Sequence, residues 1–186
     1  MQQQAADLRE EGEELFELLN SLDESDWDRR TPFNGWTVNE VIGHLHGGDW
    51  AVVLTMTDPA AYAVFKQARQ EARDRGDEDA RNRLGPELAT GRKLMAQWYE
   101  YFQEMCRQVA AADPRARVQW SGPDMSIRSA ATARQMETWA HGQDIYDLLR
   151  RPRKPTDRLK NIAVLGVKTF GWTFRNRGMT PPAETP

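Results

Sequence analysis

Ten prolines divide the chain into pieces of helix length, and within those pieces apolar residues recur at three and four positions, never at two for long. A strand needs alternation, and a helix does not run through an interior proline, so helices are what this pattern permits. Residues 3–21 carry a stripe through Leu8, Leu15, Leu18, Leu19 and Leu22. Residues 29–36 form a turn, because Pro32 and Asn34-Gly35 interrupt regular structure. Thr37 is placed to N-cap a second helix, with Glu40 completing a capping box. That helix runs to about residue 57, where Asp58-Pro59 breaks it. Residues 60–75 read as helical, and 76–85 as a polar loop. Pro86 suits the first position of a third long helix, about 86–112. Residues 118–120 are at most a short extended piece. Ser126 caps a fourth long helix, about 127–149, and 150–155 is a break before a fifth, about 156–175. The expectation is an all-α fold, an antiparallel four-helix bundle with an additional C-terminal helix. It spans residues 1–178, and 179–186 has linker composition.

Composition removes several function classes. One Cys cannot form an internal disulfide, so a disulfide-stapled secreted scaffold and a Cys-rich zinc finger are both excluded. No apolar run approaches the roughly 20 residues that span a bilayer, so no membrane partner is expected. The acidic N-terminus lacks the basic region of a signal peptide, which points to a cytoplasmic location. A net charge of -3, without base-stacking motifs or a recognition helix, speaks against nucleic acid. The charge is uneven: residues 1–30 hold ten acids and three bases, and 150–177 hold nine bases and one acid. The simplest account packs the acidic first helix near the basic last segment. Three His and the carboxylates must then supply nearly all ligands of any metal.

The segment with chemical content is 134–149, RQMETWAHGQDIYDLL. Taking Glu137 as zero on a helical wheel, His141 lies near 40°, Asp144 near 340° and Arg134 near 60°, all about the face of Ala130, Ile145 and Leu148. That face turns inward, and a buried carboxylate must be paired or bound to a cation. Glu and His four apart can reach one metal from a single helix. A buried polar cluster, with Arg134 pairing Glu137 or Asp144, satisfies the same pattern. A third ligand must come from another helix, which offers His44 and His46. Two apart, they point to different faces. His46 sits about 80° from the apolar stripe and His44 about 120° on its other side, so the wheel slightly favours His46. Gly48, one turn beyond His44, leaves room beside that imidazole.

The run TPFNGWTVNEVIGHL resembles the second-helix motif of the mycothiol-dependent maleylpyruvate isomerase N-terminal domain, within the DinB-like superfamily of metal-binding four-helix bundles. The family pattern is a Gly-Trp-Thr helix start with a His eight residues after the Trp, which here is His44. Its Glu and His four apart, with Asp three later, match Glu137, His141 and Asp144 in ETWAHGQD. The resemblance implies a divalent metal, usually Zn2+ with Ni2+ or Fe2+ as alternatives, held by His44, Glu137 and His141. It also implies a low-molecular-weight thiol such as mycothiol, activated as thiolate to attack a small-molecule electrophile, in isomerisation or S-transfer.

Three protein ligands and an exchangeable position describe a catalytic zinc site. Asp144 then orients a ligand His through its other ring nitrogen. Arg134, with Gly48 beside it, is a candidate for binding a substrate carboxylate. Two other readings keep the metal: bound water gives a hydrolase or hydratase, and a saturated site gives a non-catalytic stress or interaction protein. Members of the family continue into a C-terminal α/β domain, whereas this sequence stops in linker-like residues, either as a piece of a longer protein or as a single-domain relative. Maleylpyruvate isomerisation itself is therefore not carried over. Cys106 reads as a buried inert thiol, Trp36, Trp98, Trp120 and Trp172 as packing, and the arginines of 150–158 as a solvated connection. A monomer and a homodimer burying Trp-bearing faces both suit the composition.

Overall fold

The structure is a computed structural model that describes residues 1–184, with side chains described at all of these except 79, 81 and 82. The last two residues of the linker-like tail lie outside the described residues. The chain divides into two compact units, Met1–Arg153 and Lys154–Pro186. The first contains α1 (Gln2–Asn20), α2 (Val38–Thr57), α3 (Pro59–Asp74), α4 (Glu78–Arg83), α5 (Gly91–Ala111) and α6 (Ile127–Leu148). The second contains α7 (Leu159–Arg175), in which no residue is fully buried. The fold is the expected all-α, DinB-like antiparallel bundle with an additional C-terminal helix.

Helix ends fall where local chemistry puts them. Thr37 accepts from the Glu40 amide, and the Glu40 carboxylate accepts from the Thr37 amide at 2.7 Å, closing the capping box at the start of α2. Asp58 ends α2 and caps α3, whose first residue is Pro59. Ser126 accepts from the Ser129 amide at the start of α6. Three boundaries differ from the sequence reading. The third long helix starts at Gly91, not Pro86, because Gly91 takes φ +60° and the segment before it is irregular. The loop over 76–85 holds α4. The short extended piece is half of a two-residue hairpin pairing Arg117–Val118 with Met125–Ser126.

In the first unit α1 packs on α5 and α6, and α2 packs on the same two. The five leucines of the first stripe are all buried. Trp98 and Phe102 of α5 fill the centre with Ile42, Leu45 and Ile145. Gly12 lets α1 approach α5 closely, since a Cβ there would overlap the Phe102 ring. The 150–155 segment is not solvated throughout. Arg153 is buried against the acidic first helix, where it pairs with Glu11 and Glu14 and donates to the Trp139 carbonyl. Packing of acids against bases is therefore real as far as Arg153. Trp172, expected to pack, is 44 % exposed. No helix among the described residues is long and apolar enough to cross a membrane.

Candidate metal centre

The start of α2 and the second half of α6 face each other, and the three potential ligands converge there. One ligand atom each from His44, Glu137 and His141 lies within 4.8 Å of the other two. Glu137 Oε2 is 3.2 Å from His44 Nε2 and 3.5 Å from His141 Nε2. Donors around one zinc, each about 2.0–2.2 Å from it, stand roughly 3–3.5 Å apart, which is the spacing of the two Glu137 pairs, and two imidazoles and a carboxylate are a donor set suited to a divalent ion. His141 Nδ1 is 3.2 Å from Asp144 Oδ2. A carboxylate in that position can accept a hydrogen bond from Nδ1–H, which would free Nε2 to ligate an ion when one is bound.

Access is graded across the group. The His44 side chain is 40 % exposed, Glu137 31 % and His141 9 %. The hydrogen bonds with His141 and then His44 hold the Glu137 carboxyl well below its ordinary value, against the effect of burial. Burial pushes the Asp144 carboxyl up, opposed by His141.

The wheel's slight preference for His46 is reversed in the structure. His46 lies nearer the apolar stripe, and that proximity is what buries it, to 2 % exposure, edge-on to Tyr101. Burial pushes its imidazole below the ordinary value. His44, farther round the helix, stays at the rim where α6 meets α2.

Arg134 does not reach Asp144. Its Nε donates to Asp49 Oδ1 at 2.8 Å and its Nη2 to the Leu45 carbonyl at 3.0 Å. Trp98 Nε1 donates to the other Asp49 oxygen at 3.0 Å. Arg134 and Asp49 are 3 % and 0 % exposed, so the guanidinium has its partners inside the protein. Burial pushes the Asp49 carboxyl up, and the pair with Arg134 and the indole bond pull it back. Gly48 accommodates Arg134, because a Cβ there would overlap the guanidinium.

Two site residues escaped sequence reasoning. Trp36 stacks 5.9 Å from the His141 ring, with an interplanar angle of 16°, and lies 5.4 Å from His44. Phe33 meets His141 edge-on at 5.0 Å and Trp36 at 5.1 Å. A tight turn places both rings: the Trp36 amide donates to the Phe33 carbonyl at 3.0 Å, with Asn34 at φ 51° and Gly35 at φ 68°. Positive φ at both central residues is the reason for the Asn-Gly pair. That dipeptide, directly before the Thr37 cap, was the available signal. Cys106 is buried and unpaired, and burial pushes its thiol up to about 12.

Comparison with known proteins adds a family and two relatives. The family described as "Mycothiol maleylpyruvate isomerase N-terminal domain" matches residues 8–146. Two uncharacterized proteins of Mycobacterium tuberculosis, from strains CDC 1551 / Oshkosh and ATCC 25618 / H37Rv, are each 37 % identical over 179 residues. The match covers 96 % of this chain and 69 % of each relative. No solved structure matches significantly.

Proposed function

Since the chain belongs to the mycothiol maleylpyruvate isomerase N-terminal domain family, we propose that it is a metal-dependent enzyme that activates an exogenous low-molecular-weight thiol for S-transfer to, or isomerisation of, a small electrophile. The convergence of His44, Glu137 and His141 carries this reading. Zinc is the first choice for two imidazoles and a carboxylate. When bound, such an ion lowers the pKa of a protic group at its open position.

The chain's residues have separable tasks. Glu137 brings one negative charge between two neutral imidazoles, so a divalent ion keeps a net positive charge that favours an anionic partner such as a thiolate. Asp144 sets the His141 tautomer. Trp36 and Phe33 wall one side of the group with apolar rings, while the exposed edge of His44 marks the open side. The protein's own thiol, Cys106, lies in the core, consistent with a thiol supplied from outside.

Metal analysis of protein purified without added zinc, beside His44→Ala and Glu137→Ala, tests the site. Stoichiometric metal in wild type, lost in both variants, is expected. Consumption of an electrophile that rises with added thiol supports the thiol reading. The same donor set also serves bound water in hydrolytic zinc enzymes, and turnover independent of thiol would favour that chemistry.

A further inference from the structure

The metal group is split between two helices, so its geometry depends on how α2 is held against α6. One buried device spans that junction. Arg134 lies one turn before Glu137 on α6 and grips α2 twice, at the Asp49 carboxylate and the Leu45 carbonyl. Leu45 follows His44 directly in sequence. The guanidinium lies over Gly48, where any side chain would displace it. Trp98 fixes the far oxygen of Asp49 from α5. Each group is nearly sealed from solvent, with Arg134 and Asp49 side chains 4 % and 0 % exposed. Arginine is suited to this because its rigid fork presents several donors at fixed angles.

We propose that Arg134, seated over Gly48 and joined to Asp49, is a positioning residue that sets the registration of α2 on α6 and thereby the spacing of His44 from Glu137 and His141. The inference rests on the metal reading above. It assigns Arg134 and Gly48 to the back of the site and leaves recognition of substrate to the open side.

Gly48→Ala tests this against a matched control, Gly47→Ala. Both add one helix-favouring methyl to adjacent positions of α2. At Gly47 the methyl meets nothing within 4 Å, and at Gly48 it meets Arg134 Cζ at 2.7 Å. Cobalt(II) binding to the metal-free proteins is measured by titration and by the visible spectrum of the ion. Supporting groups behind metal ligands typically govern affinity by 10–100-fold. Gly48→Ala is expected to bind cobalt at least about tenfold more weakly than Gly47→Ala, with a shifted spectrum. Gly47→Ala should match wild type. Arg134→Lys, which keeps the charge but loses the fork, should show the same weakening and provides the reading if Gly48→Ala does not fold. A purely structural role would lower the unfolding temperature of the metal-free variants and leave cobalt affinity and spectrum unchanged; that result overturns the proposal. Wild type that takes up no cobalt overturns the metal reading itself, and this inference with it, before either variant is measured.

Discussion

Replacing Trp98 with Phe should separate stability from metal binding. The indole is fully buried, and its Nε1 donates to Asp49 at 3.0 Å. Phenylalanine keeps the aromatic body but removes about three ring atoms, the donor nitrogen among them, which is worth roughly 1–2 kcal/mol of packing after partial relaxation. A hydrogen bond to a charged group contributes about 1.5–3 kcal/mol. Together these give a loss of about 2.5–5 kcal/mol. For a chain of this size each kcal/mol moves the unfolding midpoint by about 2–4 °C, so a drop of about 5–20 °C is expected. Urea unfolding should show a lower midpoint at an unchanged slope. Arg134 still bridges Asp49 and the Leu45 carbonyl, so cobalt affinity should stay within about threefold of wild type, well inside the effect typical of groups that support a metal ligand. A stability loss below about 1 kcal/mol would refute the reasoning, because it would mean that the Asp49 oxygen does not need the indole.

Asp144→Asn should weaken metal binding about 10–100-fold, read by competition with a chromophoric chelator, because Asn accepts the hydrogen bond from Nδ1–H without the charge. Equal affinity would show that His141 is oriented by something else. Glu137 has a folded-state value below its ordinary one, so its ionised form stabilises the metal-free protein at neutral pH, and that contribution is lost as the pH falls through the acid range. The stability gap between wild type and Glu137→Gln, from denaturant curves at several pH values, should therefore be present above the ordinary carboxylate range and close in strong acid; a gap that persists or widens in strong acid contradicts this sign. Cys106, buried with its thiol raised to about 12, should react with a thiol reagent at pH 8 only after denaturant is added. Rapid labelling of the folded protein would show the core to be open there.

Legibility from sequence followed distance along the chain. Glu137, His141 and Asp144 lie within eight residues on one helix, so helical geometry alone places them on one face. Choosing between His44 and His46 requires knowing which side of α2 meets α6, and the wheel records only which side is apolar. The motif resemblance supplied that choice. Arg134 was legible as an inward-facing cation, but its partner is 85 positions away, and no local pattern announces it. The same limit hid Arg153, which reads as part of a basic run yet is buried on α1. Caps were recoverable because Thr37-Glu40 and Ser126 act over three or four residues, and the break at Asp58-Pro59 was legible from the proline. The start of α5 was not, since proline is only permitted at a first turn, and Gly91 with its positive φ ended the irregular stretch instead.

All three candidate ligands come from α2 and α6; α1 and α5 contribute none. Half of the bundle is thus chassis. Changes in α1 should trade only in thermal tolerance, and α5 reaches no closer to the ligands than the Trp98 bond to Asp49. New reactivity would be sought in the rim around His44 and at Phe33, which is 39 % exposed, with Asn34-Gly35 and Trp36 kept because the turn and the core need them. A library confined there explores chemistry, and one placed in α1 explores robustness. The two searches can be run separately and their products combined.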